Sequence, residues 1–332
     1  MKHRFDSTVG TRALFFFIFT LFLPPNAPAQ QSEQKSAGRD QAANARFTSG
    51  NSATIPLEID NNIILMWVSV NGSRPLKFIF DTGASHTILQ SQRGAELGLK
   101  PEEQVSGTAT GGAIEGSLTS GVSLKVAGAE VSNQQIGLIA FPVPPGFEFD
   151  GVIGYDFIKE FVVEIDYLKK VMTLYDPRTY RYRGKGEIVP MVLDGRRIPF
   201  ITTTIIFDKG PAVEASLEVD TGADRTIIFS SPFVAREKLV TRIIGTTEGS
   251  GRGAGGEQKI LVGKIKAARL GKFLFANPPV GLVLNNDGKE GDGVIGGEIF
   301  RRFKVILNYS RQQMILEPNR SFNDPFKFEE GD

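Results

Sequence analysis

Two aspartates stand in matching surroundings in this 332-residue chain. Asp81 lies in Phe80-Asp81-Thr82-Gly83-Ala84-Ser85, and Asp220 in Val219-Asp220-Thr221-Gly222-Ala223-Asp224. Each follows an apolar run, Leu76 to Phe80 and Leu217 to Val219. Each precedes another, Thr87-Ile88-Leu89 and Thr226-Ile227-Ile228-Phe229. A strand, a Gly-containing turn and a return strand present a carboxylate at a loop tip. Two such tips face to face would hold one water between two carboxylates. A pair that close shares one proton. Its ionised member can take a proton from the water, and its protonated member can polarise a carbonyl.

One Asp-Thr-Gly is an ordinary turn, so the case rests on a longer repeat. Asp150-Gly151-Val152-Ile153-Gly154 recurs as Asp292-Gly293-Val294-Ile295-Gly296. Val163-Glu164-Ile165-Asp166-Tyr167 recurs as Val305-Ile306-Leu307-Asn308-Tyr309, at the same offset of 142 positions. A Gly-rich stretch follows each aspartate, Gly107–Gly116 after the first and Gly249–Gly256 after the second. Its candidate substrate contacts are Gly111 and Gly112, then Gly251 and Gly253.

Elimination points the same way. The chain has no Cys and two His, His3 and His86. That excludes Cys/His catalysis and Cys- or multi-His metal sites. There is no Walker-type phosphate loop and no Gly-x-Ser-x-Gly elbow. No metal and no cofactor are expected. His86 is read as packing or facing solvent.

Positioning these residues falls to strands. Val, Ile, Thr and aromatic runs separated by Gly, Pro and Asn clusters favour β structure. Ile63 to Val70, a turn at Asn71-Gly72-Ser73-Arg74, and Leu76 to Phe80 form a hairpin. Phe200 to Phe207 and Val213 to Val219 form its twin. Short helices are expected at Ser91 to Leu97, stopped by Gly98, at Tyr155 to Phe161, after Ser231-Pro232, and at Gly297 to Phe303.

Lys2, Arg4 and Arg12 precede the apolar stretch Leu14 to Leu23, and Ala27-Pro28-Ala29 follows it. This is the pattern of a secretory signal over residues 1–29, too short to span a bilayer as a helix. An exported protein, periplasmic or secreted, is expected, with no stable membrane insertion after signal removal. The formal charge is +1, and −1 once residues 1–29 are gone. That lacks the basic field of a nucleic-acid binder. Residues 30–52 form an expected flexible leader. A first unit spans 53–177, a linker 178–186, a second unit 187–320, and a tail 321–332.

With these motifs in hand, the chain resembles the aspartic proteases. Asp-Thr-Gly, a Gly-rich flap and a hydrophobic-hydrophobic-Gly segment form their signature, here twice in one polypeptide. Ala84 and Ala223 after each Gly resemble the retroviral-type branch. The resemblance implies an all-β fold of two pseudo-symmetric acid-protease-type β-barrel lobes with the site in the cleft between them. It implies Asp81 and Asp220 as the catalytic pair. Thr82, Gly83, Ala84, Thr221, Gly222 and Ala223 would support the active-site loops, the threonines by bonding across to the opposite loop. The implied activity is endopeptidase action on an extended peptide, with a monomer sufficient because both aspartates lie in one chain. A peptide-binding module that does not cut, or an envelope structural protein, are the competing readings. Retroviral enzymes place an Arg after the Ile-Gly pair, where it pairs with an Asp two residues beyond the active-site Gly. Here Tyr155 and Gly297 occupy that place, so Asp224 lacks its family partner.

Overall fold

The computed structural model describes residues 14–15, 19–22, 44–143, 146–253, 255–285 and 291–326. The expected signal, residues 1–29, lies outside them except for Leu14–Phe15 and Phe19–Phe22. These two short strands run along the outer edges of the Gly-rich hairpins.

The architecture is mostly β and two-lobed. One sheet gathers the strands of each lobe, and a third sheet of six strands joins the lobes. Both lobe sheets are built in the same order. In the first, Ile63–Val70 pairs antiparallel with Leu76–Phe80. The turn between them places Asn71 and Gly72 at positive φ, 49° and 76°. That is the turn handedness that matches the strands' own twist. Gly151–Ile153 then lies between Leu76–Phe80, parallel to it, and Ile88–Gln90, antiparallel to it. The chain must therefore leave the sheet at Asp81 and re-enter at Ile88, and the aspartate sits in the loop this makes. In the second lobe Gly293–Ile295 separates Val213–Val219 from Ile227–Phe229 in the same way.

The apolar residues Gly-Val-Ile are fully buried in both copies because this strand is covered on both faces. The preceding aspartates anchor it identically. Asp150 accepts from the Lys77 backbone N–H (2.9 Å) and the Arg93 side chain (2.7 Å). Asp292 accepts from the Ser216 N–H (2.9 Å) and the Arg236 side chain (2.8 Å).

Val162–Asp166 pairs antiparallel with Phe303–Asn308 at the centre of the joining sheet. Val171–Tyr175 and Ser52–Pro56 extend it on one side, Gln313–Pro318 and Glu187–Pro190 on the other. The main apolar core runs continuously from one lobe to the other, with Phe78, Phe157 and Leu174 from the first and Phe229, Phe300 and Leu316 from the second.

Four details differ from the sequence expectations. Asn44–Phe47, placed in the leader, pairs with Ala129–Ile139, and Phe47 packs edge-on against Phe161. The helix expected from Ser231-Pro232 starts at Ser231 itself, with Ser230 in the position before it and its hydroxyl donating to the Gly291 carbonyl (2.9 Å) rather than to the helix. The helices after the Ile-Gly pairs are single turns, Tyr155–Ile158 and Gly297–Phe300. The start of the tail is held down: Arg302, 1% exposed, donates to the carbonyls of Phe322 (3.1 Å) and Asp324 (2.6 Å). Among the described residues no helix is long and apolar enough to cross a membrane.

Candidate active site

The two Asp-Thr-Gly loops meet at the seam between the lobes. Asp81 and Asp220 are both fully buried, and the Asp220 carboxyl stands close enough to raise the Asp81 pKa. Each carboxyl also accepts the N–H of the glycine two residues on. Gly83 donates to Asp81 Oδ1 and Gly222 to Asp220 Oδ1, both at 2.7 Å. The aspartate main chains are fixed as well, each N–H donating to the isoleucine of its Gly-Val-Ile strand (3.0 Å in both lobes).

Thr82 and Thr221 reach across. The Thr82 hydroxyl donates to the Val219 carbonyl (2.5 Å) and accepts from the Thr221 N–H (3.0 Å). The Thr221 hydroxyl donates to the Phe80 carbonyl (2.8 Å) and accepts from the Thr82 N–H (3.1 Å). Both threonines are buried. Each lobe thus satisfies the other's backbone. The glycines make this approach possible. A β-carbon on Gly222 would stand 2.6 Å from the Asp81 carboxyl carbon, and one on Gly83 3.0 Å from that of Asp220.

Ala84 and Ala223 are buried against each lobe's cleft-side cluster. Their carbonyls accept the N–H groups of Tyr155 (2.9 Å) and Gly297 (2.7 Å). Those two residues occupy the place of the family arginine. Gly297 has no room for one: its β-carbon would stand 2.7 Å from the Asn62 carbonyl. The inter-lobe brace is made by Asn62 instead, whose side chain donates to the Asp224 carbonyl (2.9 Å) and to Glu298 (3.1 Å). Asp224 itself lies 3.5 Å from Arg225. On the other side Arg197 reaches the Tyr155 hydroxyl (3.4 Å). His86 sits 3.7 Å from Asp156, a carboxylate that also accepts the Thr87 N–H and hydroxyl.

Burial raises the Asp81 pKa well above the usual carboxylate range, and the neighbouring Asp220 raises it further. The Gly83 N–H opposes this, while the nearby Glu218 adds to it. One proton held between two buried carboxyls is the arrangement that lets one act as base and the other as acid.

The Gly-rich stretches are hairpins over the cleft, Glu103–Ala109 with Gly112–Val126 and Thr247–Gly253 with Gly256–Lys264. Their tips touch: the Gly255 N–H donates to the Thr110 carbonyl at 2.9 Å. Gly111 and Gly112 lie in this contact. Gly251 and Gly253 do not; they sit in the strand below, and the second tip is Gly255-Gly256. Thr110, Gly255 and Gly256 lie inside the two Gly-rich stretches read from the sequence but were not singled out there, because a glycine tip carries no side-chain pattern. Nor was Glu218, 2% exposed beside the aspartates.

A profile of the aspartyl protease family matches residues 66–157 and again 203–299. The chain belongs to the aspartyl protease family. The two matched stretches each carry one Asp-Thr-Gly loop and one Gly-Val-Ile-Gly segment. Among solved structures, an aspartic proteinase from Irpex lacteus shares this family member's fold, with a TM-score of 0.55 at 15% identity. The match covers 82% of this chain and 99% of that one. No curated protein sequence matches. Among the described residues no group of three or more His, Asp or Glu could hold a metal ion.

Proposed function

We propose that this aspartyl protease family member is an endopeptidase that cleaves extended polypeptides, with Asp81 and Asp220 as its catalytic pair. The observation that carries the reading is a pair of buried carboxyls close enough for one to raise the pKa of the other, each held by a glycine N–H from its own loop. The ionised member takes a proton from a water between them, and the protonated member hydrogen-bonds the scissile carbonyl. Water oxygen bonds to the carbonyl carbon, the proton passes to the amide nitrogen, and the C–N bond breaks. No covalent enzyme intermediate forms. The touching hairpins would part to admit a peptide and close over it with main-chain hydrogen bonds. Both aspartates come from one chain, so a monomer suffices. The signal pattern over residues 1–29 supports export to the periplasm or the exterior. The test is cleavage of a mixed peptide library, blocked by a statine-type mimic of the tetrahedral intermediate. Tight binding of the mimic without cleavage from pH 3 to 8 would favour a silent peptide-binding module instead.

The pH dependence follows from Asp81. The working form carries one proton on the pair. Its window opens where the first carboxyl ionises and closes where Asp81 loses its proton. Raising the Asp81 pKa moves the closing edge upward. Neither Ala84 nor Ala223 offers a hydroxyl to favour the ionised carboxylates. Turnover should therefore extend to weakly acidic or neutral pH in a pH–rate profile. A profile confined below about pH 4, near the free carboxyl value, would contradict this.

The hairpin tips give a smaller effect. Gly111 has φ +96°, and a β-carbon there would meet the Gly256 carbonyl at 2.3 Å. Gly111→Ala should part the tips and raise KM by about tenfold, the factor equivalent to ~1.4 kcal/mol of binding. Steady-state kinetics with a fixed peptide would read it, and kcat should change less than KM.

A further inference from the structure

The joining sheet carries the relation between the lobes in its register. Glu164 stands opposite Ile306, and the two are also counterparts in the repeat. The residues that leave these strands, Tyr167 and Tyr309, are therefore counterparts at opposite ends of the pair. Both are buried, 5% and 4% exposed, and both hydroxyls are without a hydrogen-bond partner among the described residues. A buried O–H left unmet is costly. Their surroundings differ. Tyr309 packs edge-on against Tyr155, with ring centres 5.6 Å apart. Tyr155 follows Gly154, and its N–H holds the Ala84 carbonyl in the Asp81 loop (2.9 Å). Arg197 lies 5.9 Å from the Tyr155 ring centre and donates to its hydroxyl (3.4 Å). Side chains drawn alternately from the two lobes thus run from Arg197 through Tyr155 to Tyr309, alongside that loop. In place of Tyr155 the second lobe has Gly297, which offers Tyr167 no ring.

The charges around the two hydroxyls differ as well. Burial, then Asp81, Tyr155 and Glu218, hold the Tyr309 hydroxyl in its neutral form, far from titration. Burial alone does so for Tyr167. Tyr309 is thus a packed ring carrying one O–H that no neighbour claims, within reach of the Asp81 charge. An unclaimed hydroxyl turns in the field around it, and its hydrogen goes towards negative charge. Burial, Asp220 and Glu218 keep the proton on Asp81. Negative charge therefore appears on Asp81 only when that proton moves to the substrate. A dipole already standing there needs no rearrangement at that moment.

We propose that Tyr309 is a positioning residue for the aspartate pair: its O–H dipole, aimed from the second lobe at Asp81, steadies the negative charge that forms there as Asp81 gives up its proton. Tyr309 keeps its own proton throughout. The effect is one-sided, since no charged side chain acts on the Tyr167 hydroxyl. The use made of the charge rests on the peptidase reading above; the charge and the dipole do not.

The test uses the full chain with Tyr309→Phe and Tyr167→Phe, which keep both rings. A fixed peptide gives the pH–rate profile, and thermal melts across pH give stability without need of turnover. Tyr309→Phe should make Asp81 harder to ionise. The closing limb of the profile should move up by about one pH unit. Inside the window kcat should fall by about tenfold, less than the loss of a donor in direct contact, with KM little changed. In the melts Tyr309→Phe should lose Tm relative to the wild type as pH rises through the closing limb, because only the wild type has the dipole to offset the new charge. Tyr167→Phe should show none of these changes. A wild-type limb in Tyr309→Phe, with a Tm offset constant across pH, would overturn the inference and leave the peptidase reading standing. So would an equal shift in Tyr167→Phe. A shift that vanishes in a Glu218→Gln background would overturn it too, since the hydroxyl would then serve Glu218. A pH-dependent Tm offset without cleavage by any form would do the reverse, upholding the dipole and sinking the peptidase. A constant offset with no cleavage would remove both.

Discussion

Asp81→Asn should stop turnover and, at neutral pH, make the protein more stable than the wild type. The first effect follows from losing one of the two acid–base partners, a loss of about 10³-fold or more in kcat. The second follows from linkage. Asp81 has a raised pKa in the folded state, against about 3.9 in the unfolded chain. Below the unfolded value both states are protonated and burial carries no ionisation penalty. As pH rises from there towards the folded value, the unfolded chain releases a proton that the folded chain retains. Stability is lost across that window. Asparagine cannot ionise, and its side-chain oxygen can still accept the Gly83 N–H. The difference in Tm between variant and wild type should therefore be several degrees at pH 7 and shrink towards zero below about pH 4. Thermal melts across pH, paired with digestion of a denatured protein, measure both. Undiminished digestion would remove Asp81 from the proposed mechanism; a Tm difference independent of pH would mean Asp81 is ionised where the geometry opposes it.

The second large effect lies in the threonines. Thr82→Val and Thr221→Val keep the side-chain shape and delete the hydroxyl. Thr82→Val leaves the Thr221 N–H and the Val219 carbonyl without their partner, and Thr221→Val does the same to the Thr82 N–H and the Phe80 carbonyl. All of these groups are buried at the seam, where an unmet donor or acceptor costs about 1–3 kcal/mol. Each substitution should lower stability by roughly 2–4 kcal/mol, read as a shift in the chemical denaturation midpoint. Because the same bonds fix the spacing of the aspartates, kcat should fall by about 10²-fold, the usual consequence of a 1 Å displacement. Thr→Ser at either position retains the hydroxyl and should recover most of both losses. Valine variants with wild-type stability would mean the hydroxyls are not what holds the loops together.

Much of this was legible in the chain itself. The Asp-Thr-Gly and Gly-Val-Ile-Gly pairs carry their geometry in residue type. An apolar run ending at Asp-x-Gly and repeated in register reads as a strand leaving a sheet, and the consecutively buried Gly-Val-Ile needs cover on both faces. The hairpin at Asn71-Gly72 was legible for the same local reason, the positive φ its turn requires. Glu218 was not. Val213 to Val219 alternates, with Glu214, Ser216 and Glu218 in the polar phase, which places all three in solvent. Glu214 is indeed exposed, but Glu218 is 2% exposed because the strand runs inward under the second hairpin. Burial varies along a strand with what lies above it, and no local pattern records that. The one available signal was the register of the repeat, which sets Glu218 opposite Ile79. Asn62 was hidden likewise: it belongs to a surface turn in sequence and becomes a brace only when the other lobe arrives.

Residues 178–186 form the linker between the lobes. Its ends are stitched to the joining sheet. Tyr182 donates to Glu317 at 2.6 Å and accepts from the Gly186 N–H at 2.5 Å, while Tyr180 packs tilted against Tyr175. Tyr180 and Tyr182 pack on Val162, Ile306 and Ile315, which come from both halves. The covalent link is thus mechanically redundant. Severing the backbone among residues 183–185 would leave two polypeptides clasped by a shared six-stranded sheet, a route by which one gene could become two without the cleft ever coming apart.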